Sequence, residues 1–534
     1  GSAPILEYDF EDDSAAIFGN AQYEIDEETQ SRVLKLDGIN SYMQFPDNLF
    51  DRRDTFTLTM DVKFDNNILS PIFAVGKDNL HEFRVNMSKL SATGRLTLEG
   101  TINDLPTRSS LNLEGWNRVA IRVEPSKVSV FANGGLLCEN ENMTRTIYHL
   151  AEKDLVAYIG KSFANAYFSG AIDNVKLYDR ALSLDEIWGE IPAGTDEEAV
   201  EKTANMLGFV QDLNALTTNL ELPKVGINGA QITWASSDEN VITNEGVITR
   251  SDDDVTVLLT ATITKGEYRK DKHFIVTVKA KSVDWISGTA SGNPWPYYTF
   301  EEQTGEFYFE YEITANELTD GVVGLIGSSV TPNAWNSSSM VIRLQPGGYM
   351  DARNGGGFSY NTYVQYEPGK TYLIKGKANV ASRVYSVTVT TPEGYTYQLA
   401  NNFSFRSDAP YVTGINKIMV VGGSGVSGGK FTVSNFKVYN TPTPSIRDIK
   451  VTDDKVSCTI SSFEPGSFDL YIAEYGTDKK LLGFTKYDVN FMMSSRHVYE
   501  AALNEGSYVK FFLWKDGKIE PLCKAKARNI IRVE

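Results

Sequence analysis

The side chains of this chain best suited to chemistry are aromatic and planar polar groups crowded into glycine-rich stretches. Tyr349, Arg353, Asn354, Tyr360, Tyr363 and Tyr366 fall within eighteen positions around Asn354-Gly355-Gly356-Gly357. Trp295, Tyr297 and Tyr298 stand together upstream, and Trp335 lies in a Pro/Asn/Ser stretch. Aromatics in such surroundings have no apolar periodicity to draw them into a core. A flat ring stacks on the C–H face of a pyranose or furanose, and planar polar groups bond its hydroxyls. The combination implies sugar recognition by Trp295, Tyr298, Trp335, Arg343, Tyr349, Arg353, Asn354, Tyr360 and Tyr363, with Arg406 as a further helper. The competing reading is that some of these residues only cover a sheet edge, and that Arg343 and Arg406 are inner-face ion-pair partners. His81, Arg84, Trp116 and Tyr167 are weaker candidates, because the aromatics around them fall in strand patterns.

Other chemistries find less support. No GxSxG, Walker or HExxH pattern occurs. The four histidines, His81, His149, His273 and His497, are scattered, which argues against a histidine-based triad. Glu24-Ile25-Asp26-Glu27-Glu28 matches the ExDxE pattern of family 16 glycoside hydrolases, in which alternate carboxylates serve as nucleophile and acid. It runs into a wholly polar stretch from Asp26 to Arg32, without the apolar partners of a central strand, and reads as a chance match. A paired-carboxylate glycosidase, or a lyase using Arg, Tyr and Lys, has no fixed spacing; residues 282–440 would host it.

Composition narrows the partners. With 534 residues the chain is too long for one core and implies roughly three or four domains. Its net charge of −18 argues against nucleic acid or an anionic membrane surface. No apolar run is long enough to span a bilayer. Cys138, Cys458 and Cys523 have no zinc-like spacing, and Cys458 could pair with Cys523. Gly1-Ser2 reads as a cloning remnant, so the chain is taken as an excised piece of a longer secreted or cell-surface bacterial protein, expected to be monomeric.

The elements that must position these residues are strands. Phe56, Leu58, Met60, Val62 and Phe64 alternate with polar residues, as do Val119, Ile121 and Val123. Farther on, Phe307, Phe309, Tyr311 and Ile313 alternate with Glu306, Tyr308, Glu310 and Glu312. One stretch recurs: Ile172-Asp173-Asn174-Val175-Lys176-Leu177-Tyr178-Asp179 is echoed by Val433-Ser434-Asn435-Phe436-Lys437-Val438-Tyr439-Asn440. Tyr8-Asp9-Phe10-Glu11-Asp12 is likewise echoed by Tyr298-Thr299-Phe300-Glu301-Glu302. The reading is two copies of one β-sandwich type with first and last strands adjacent. Between them, Thr195 and Glu198 make a capping box, and Val200, Ala204, Leu207, Val210 and Leu213 keep a helical period. Thr441-Pro442-Thr443-Pro444 is a stiff extended linker.

Four resemblances follow from these residues. The run from Leu34 to Tyr42, Trp116-Asn117-Arg118-Val119-Ala120, Phe131-Ala132-Asn133-Gly134 and Gly170-Ala171-Ile172-Asp173-Asn174 make residues 3–191 resemble a laminin-G-like, concanavalin-type jelly roll. Residues 192–281, with Ile232-Thr233-Trp234-Ala235 and the strands around Val257 and Val276, resemble a short helix plus a bacterial Ig-like spacer. Residues 282–440 look like a carbohydrate-binding jelly roll, and residues 445–534 resemble a fibronectin-III-like module. The implied fold is all-β: two concanavalin-like sandwiches separated by an Ig-like one, with a fibronectin-III-like tail. Sandwiches of the first type often hold a structural Ca2+ that ties first strand to last, and that ion takes about six to eight oxygen ligands. Glu11 or Asp12 with Asp173, and Glu301 or Glu302 with carbonyls near Asn435, would serve, although Ser434 replaces Asp173 in the echo. The implied function is the non-catalytic, polysaccharide- or oligosaccharide-binding part of a secreted polysaccharide-degrading enzyme. The alternatives are a glycosidase or lyase on the third module and an adhesin for a host protein.

Overall fold

A computed structural model describes residues 3–99, 101–107, 111–143, 145, 147–149, 154–189, 191 and 194–532. Gly1, Ser2 and the linker residue Pro192 lie outside them. The chain forms two compact units, residues 1–249 with 257–278 and residues 250–256 with 279–534. Both are built from antiparallel sheets. Among the described residues no helix is long and apolar enough to cross a membrane.

In the first unit an eight-stranded sheet faces a seven-stranded one. Phe56–Phe64 shows why: Phe56, Leu58, Met60, Val62 and Phe64 are buried in the core between the sheets, and Asp61 and Lys63 take the outer face. Each such side chain contributes roughly 1.5–3 kcal/mol on burial. From Ser169–Tyr178 outward the first sheet runs through Phe56–Phe64, Trp116–Val123, Val128–Ala132 and Gly135–Asn140. On its other side Ser169–Tyr178 pairs with Arg32–Asp37 and with Leu6–Tyr8.

In the second unit residues 284–439 make two six-stranded sheets with the same plan. From Phe431–Tyr439 outward the first runs through Glu306–Ala315, Thr371–Asn379, Val384–Thr390 and Thr396–Ser404. The second orders Tyr297–Gln303, Ile415–Gly422, Gly321–Gly327, Ser338–Gln345, Tyr349–Asn354 and Gly357–Gln365. The recurring stretch has a physical origin. The pairing register shifts between Asp173 and Lys176 in one copy and opposite Glu310 and Glu312 in the other. Asn174 and Asn435 sit at φ 46° and φ 55° in these bulges. Asn adopts left-handed backbone at less cost than other side-chain-bearing residues, so the bulge selects it.

The opening echo is not equivalent. The counterpart of Leu6–Tyr8 is Asp284–Ile286, which pairs with the last strand through Asp284 and Ser434. Tyr297–Gln303 belongs to the other sheet and pairs with Ile415–Gly422.

The helix of the first unit spans Asp196–Met206, with the Thr195 side chain accepting from the Glu198 N–H at 3.1 Å. The helical period continues to Leu213, but the chain extends at Leu207 just before Gly208, and Thr277 donates to the Leu213 carbonyl at 2.7 Å. A three-stranded sheet of Gln231–Ser236, Val255–Lys265 and Tyr268–Val278 follows. The terminal residues form a sandwich of three strands, Ser445–Val451, Lys455–Ser462 and Ser495–Ala502, against four, Leu481–Phe491, Gly466–Tyr475, Tyr508–Lys515 and Lys526–Asn529. Cys458 and Cys523 do not pair; both thiols are free. Cys458 packs into this core at 0% exposure, and burial pushes its thiol up to about 12.

Candidate functional site

The outer face of the sheet containing Ser338–Gln345 gathers most of the expected sugar-binding residues. Met340, Ile342 and Leu344, then Met350, Ala352 and Val364, point into the core. Alternation therefore turns Arg343, Gln345, Tyr349, Asp351, Arg353 and Tyr363 outward. Arg343 grips Asp351 with two bonds, Nε to Oδ1 at 3.0 Å and Nη2 to Oδ2 at 2.8 Å, and Gln345 donates to the same carboxylate at 2.7 Å. The Arg343 guanidinium lies 3.5 Å above the Phe358 ring centre and that of Arg353 5.0 Å from it. Burial and the neighbouring Arg406 pull the Arg353 guanidinium below its usual range. At the sheet edge Tyr349, Tyr360 and Tyr363 cluster, with ring centres 5.2 to 6.1 Å apart. Tyr360 and Tyr363 are 42% and 48% exposed, so their rings are open to a ligand.

On the same face Val322, Ile326, Val341, Met419 and Val421 make an apolar floor, with Trp295, Trp335 and Phe358 packed against it. The two indoles meet edge to face at 4.7 Å. They wall a pocket of about 430 Å3 with Thr289, Ala290 and the loop 423–427. The Trp295 N–H donates to the Pro332 carbonyl at 2.6 Å, which fixes the two aromatic loops together. Nearby, burial raises the Asp320 carboxyl, with Arg343 and Asp351 close enough to modulate it. Its Oδ1 is buried without a hydrogen-bond partner.

Trp295, Trp335, Arg343, Tyr349, Arg353, Tyr360 and Tyr363 are thus brought to one face, and two expected residues are not. Tyr298 stacks on Trp285 at 4.2 Å and packs toward the core. Asn354 pins a hairpin, its Oδ1 accepting the Ser404 N–H at 3.0 Å. Arg406 pairs with Asp408 at 2.8 Å. Phe358, Gln345, Asp351, Asp320 and the loop 423–427 escape the sequence reading. The alternation of Arg343 and Gln345 with Ile342 and Leu344 was a usable signal for part of this face.

The carboxylates expected to hold calcium accept hydrogen bonds from the protein itself. Among the described residues no group of three or more Asp, Glu, His or Cys could hold a metal ion. Glu11 accepts the Arg32 N–H at 2.9 Å, and Asp12 accepts that of Ser14 at 2.9 Å. Asp173 accepts from the Ser31 hydroxyl at 3.1 Å and from the Asn174 N–H at 2.8 Å. Burial pushes its carboxyl up to about 6, with Asp61 and Glu11 adding to the rise. Glu301 and Glu302 lie on the sheet opposite Asn435. The ExDxE match straddles a strand end, because the strand stops at Ile25. Asp26 then caps a turn, accepting from the N–H groups of Glu28 and Thr29 and from the Trp116 indole at 3.1 Å.

The fold and this face define an all-β multimodular protein with an aromatic and guanidinium-rich surface. Residues 37–188 match the family model of the concanavalin A-like lectin/glucanases superfamily, and residues 199–281 match the atrophied bacterial Ig domain. An alpha-L-arabinofuranosidase of Bifidobacterium longum subsp. longum is 26% identical over 242 residues, 41% of this chain and 22% of that protein. A gellan lyase of Bacillus sp is 28% identical over 111 residues, 20% of this chain and 4% of that protein. The chain therefore spans less than a quarter of the length of these relatives. Among solved structures, domain 4 of a GH43 extracellular arabinanase from Geobacillus stearothermophilus, in complex with arabinotriose, aligns with TM-score 0.27 and 16% identity. It covers 32% of this chain and 85% of that one. A Ruminococcus gnavus sialidase carbohydrate-binding module bound to sialyllactose aligns with TM-score 0.25 and 16% identity, covering 29% and 94%.

Proposed function

We propose that this chain is the carbohydrate-binding and spacer part of a secreted bacterial polysaccharide-degrading enzyme, acting as a monomer. The observation that carries this reading is the convergence of Trp295, Trp335, Arg343, Arg353 and the three tyrosines on one face. An apolar floor flanked by exposed rings and fixed guanidinium groups suits a sugar's two chemistries, C–H faces and hydroxyls. The curated relatives, an arabinofuranosidase and a gellan lyase, support a glycan as the ligand. The three-against-four strand order at the C-terminus supports the fibronectin-III-like spacer.

The test is affinity electrophoresis against a polysaccharide panel that includes arabinan and gellan, with reducing ends and unsaturated products assayed in parallel. Retardation without product is expected. Trp335→Ala and Tyr363→Ala should each weaken it at least tenfold, since one stacked ring contributes roughly 1–3 kcal/mol. Full affinity in both variants would remove this face as the site. Glu11 stands near enough to Asp173 to raise its carboxyl, and a Ca2+ held there would show as a lower melting temperature in EDTA. A second reading rests on Asp320, whose buried Oδ1 has no hydrogen-bond partner and whose carboxyl burial raises, as a general acid requires. Product formation abolished by Asp320→Asn would establish that reading.

A further inference from the structure

The geometry points to a second glycan site, a pocket in the first sandwich that takes the end of an oligosaccharide. It borrows only the ligand class from the preceding section; its residues belong to the other compact unit.

The pocket encloses about 570 Å3, inside the roughly 300–1,000 Å3 of small-ligand sites. Its floor is the outer face of the eight-stranded sheet, at the point where the bulge at Asn174 interrupts pairing. Asp61 and Asp173 are cross-strand partners there. Like charges directly opposite each other on a sheet are destabilising, and Asp173 is only 4% exposed. The sandwich core does not call for this pair, because both side chains point away from it. The bulge does not call for it either: the second copy has Ser434 at the equivalent position and keeps the same register shift.

The surroundings hold the carboxylates in fixed orientations. Asn174 Nδ2 donates to Asp61 Oδ2 at 2.8 Å, and Arg118 pairs with the same carboxylate. Ser31 and the Asn174 N–H bond Asp173. Trp116 lines the pocket with its indole tied to Asp26, so the ring plane is set before any ligand arrives. Oriented carboxylates accept neighbouring sugar hydroxyls, amides supply donor and acceptor, and the indole offers a stacking face. Three separate stretches of chain line it above that floor, around Thr29, Glu114 and Asn205. A recess bounded in this way suits a chain terminus. The open face of the other unit runs along its sheet and suits a chain interior.

The test is calorimetric titration of the full chain carrying Trp335→Ala and Tyr363→Ala with neutral arabino-, xylo-, cello-, galacto- and mannotrioses. Residual binding to at least one is expected. Adding Asp173→Asn, and separately Trp116→Ala, should weaken it at least tenfold without lowering the melting temperature below that of the parent by more than a few degrees. The matching polymer, poor in ends, should compete no better per chain than the trisaccharide. Absence of residual binding overturns the pocket and leaves the third-module face standing. Residual binding that survives both pocket variants overturns it as well. Loss of polymer retention in Trp335→Ala together with retained trisaccharide binding would show the two sites to be separate.

Discussion

At the scale of single residues, Asp173 shows how position decides a side chain's role. Burial holds its carboxyl at about 6 in the folded state, above the roughly 3.9 of an unfolded aspartate. The folded state thus binds more protons between those values, so this group's contribution to stability is full below about pH 4 and is lost as pH rises toward 6. Asp173→Asn removes that loss. At pH 7 it should stabilise the first unit by about 1–2 kcal/mol, a figure reduced for solvent screening. Thermal melts from pH 4 to 7 check this: the variant's advantage should grow with pH, and parallel curves would mean that the carboxylate is hydrated in solution. A residue that costs stability where the fold does not require it is a mark of function. The repeated stretch and the resemblance to calcium-holding sandwiches singled out Asp173, but its cross-strand neighbour Asp61 lies far away along the chain and was not legible.

At the scale of elements, the repeated Asx-bearing stretch was legible because a bulge imposes a local rule. One residue must enter left-handed backbone, and Asn tolerates that state. The Tyr298 stretch echoes Tyr8 just as plainly, yet it forms a strand of the opposite sheet. Aromatic–acidic composition fits any half-buried strand and does not specify a partner. The helix period ran on to Leu213 for the same reason: Val210 and Leu213 are half-buried, as helix residues would be, but they lie in a bend and a turn after Gly208. The aromatic face was legible as a list of rings in polar loops, whereas the register that joins Arg343 to Asp351 depends on pairing that composition does not encode. The bulge rule gives a prediction. Asn435→Gly should leave stability within about 0.5 kcal/mol, whereas Asn435→Val should cost about 1–3 kcal/mol by forcing a β-branched residue to φ near 55°. Urea midpoints of the two variants decide; equal midpoints would mean that the bulge relaxes.

At the scale of the molecule, the terminal sandwich docks on the outer face of the third-module sheet within one unit, and the docking is paid for in buried charge. Glu310 accepts from Tyr439 at 3.0 Å and pairs with Arg447. Burial would raise its carboxyl, but Lys375 and Arg447 outweigh that and hold it below its usual range. Lys375 bonds the Ser461 hydroxyl and lies 3.9 Å from the Phe463 ring centre, and it stands 3.6 Å from Glu310 as the second cation. Burial pulls its amine down to about 7, against roughly 10.4 when unfolded. Between those values the unfolded chain binds more protons, so this group makes the second unit more stable as pH rises from 7 toward 10. Lys375→Met keeps the aliphatic contact with Phe463 and leaves Glu310 to Arg447. It should therefore stabilise the unit at pH 7 by about 1–4 kcal/mol, as apolar replacement of buried ions often does, and it should flatten the rise between pH 7 and 10. Melts of the wild type and the variant across that range are the measurement. Identical profiles would mean that Lys375 is in water and that the two sandwiches part in solution. The expected divergence would show the terminal module packed on the third-module sandwich through Lys375, Glu310 and Arg447, leaving the aromatic face of the opposite sheet open.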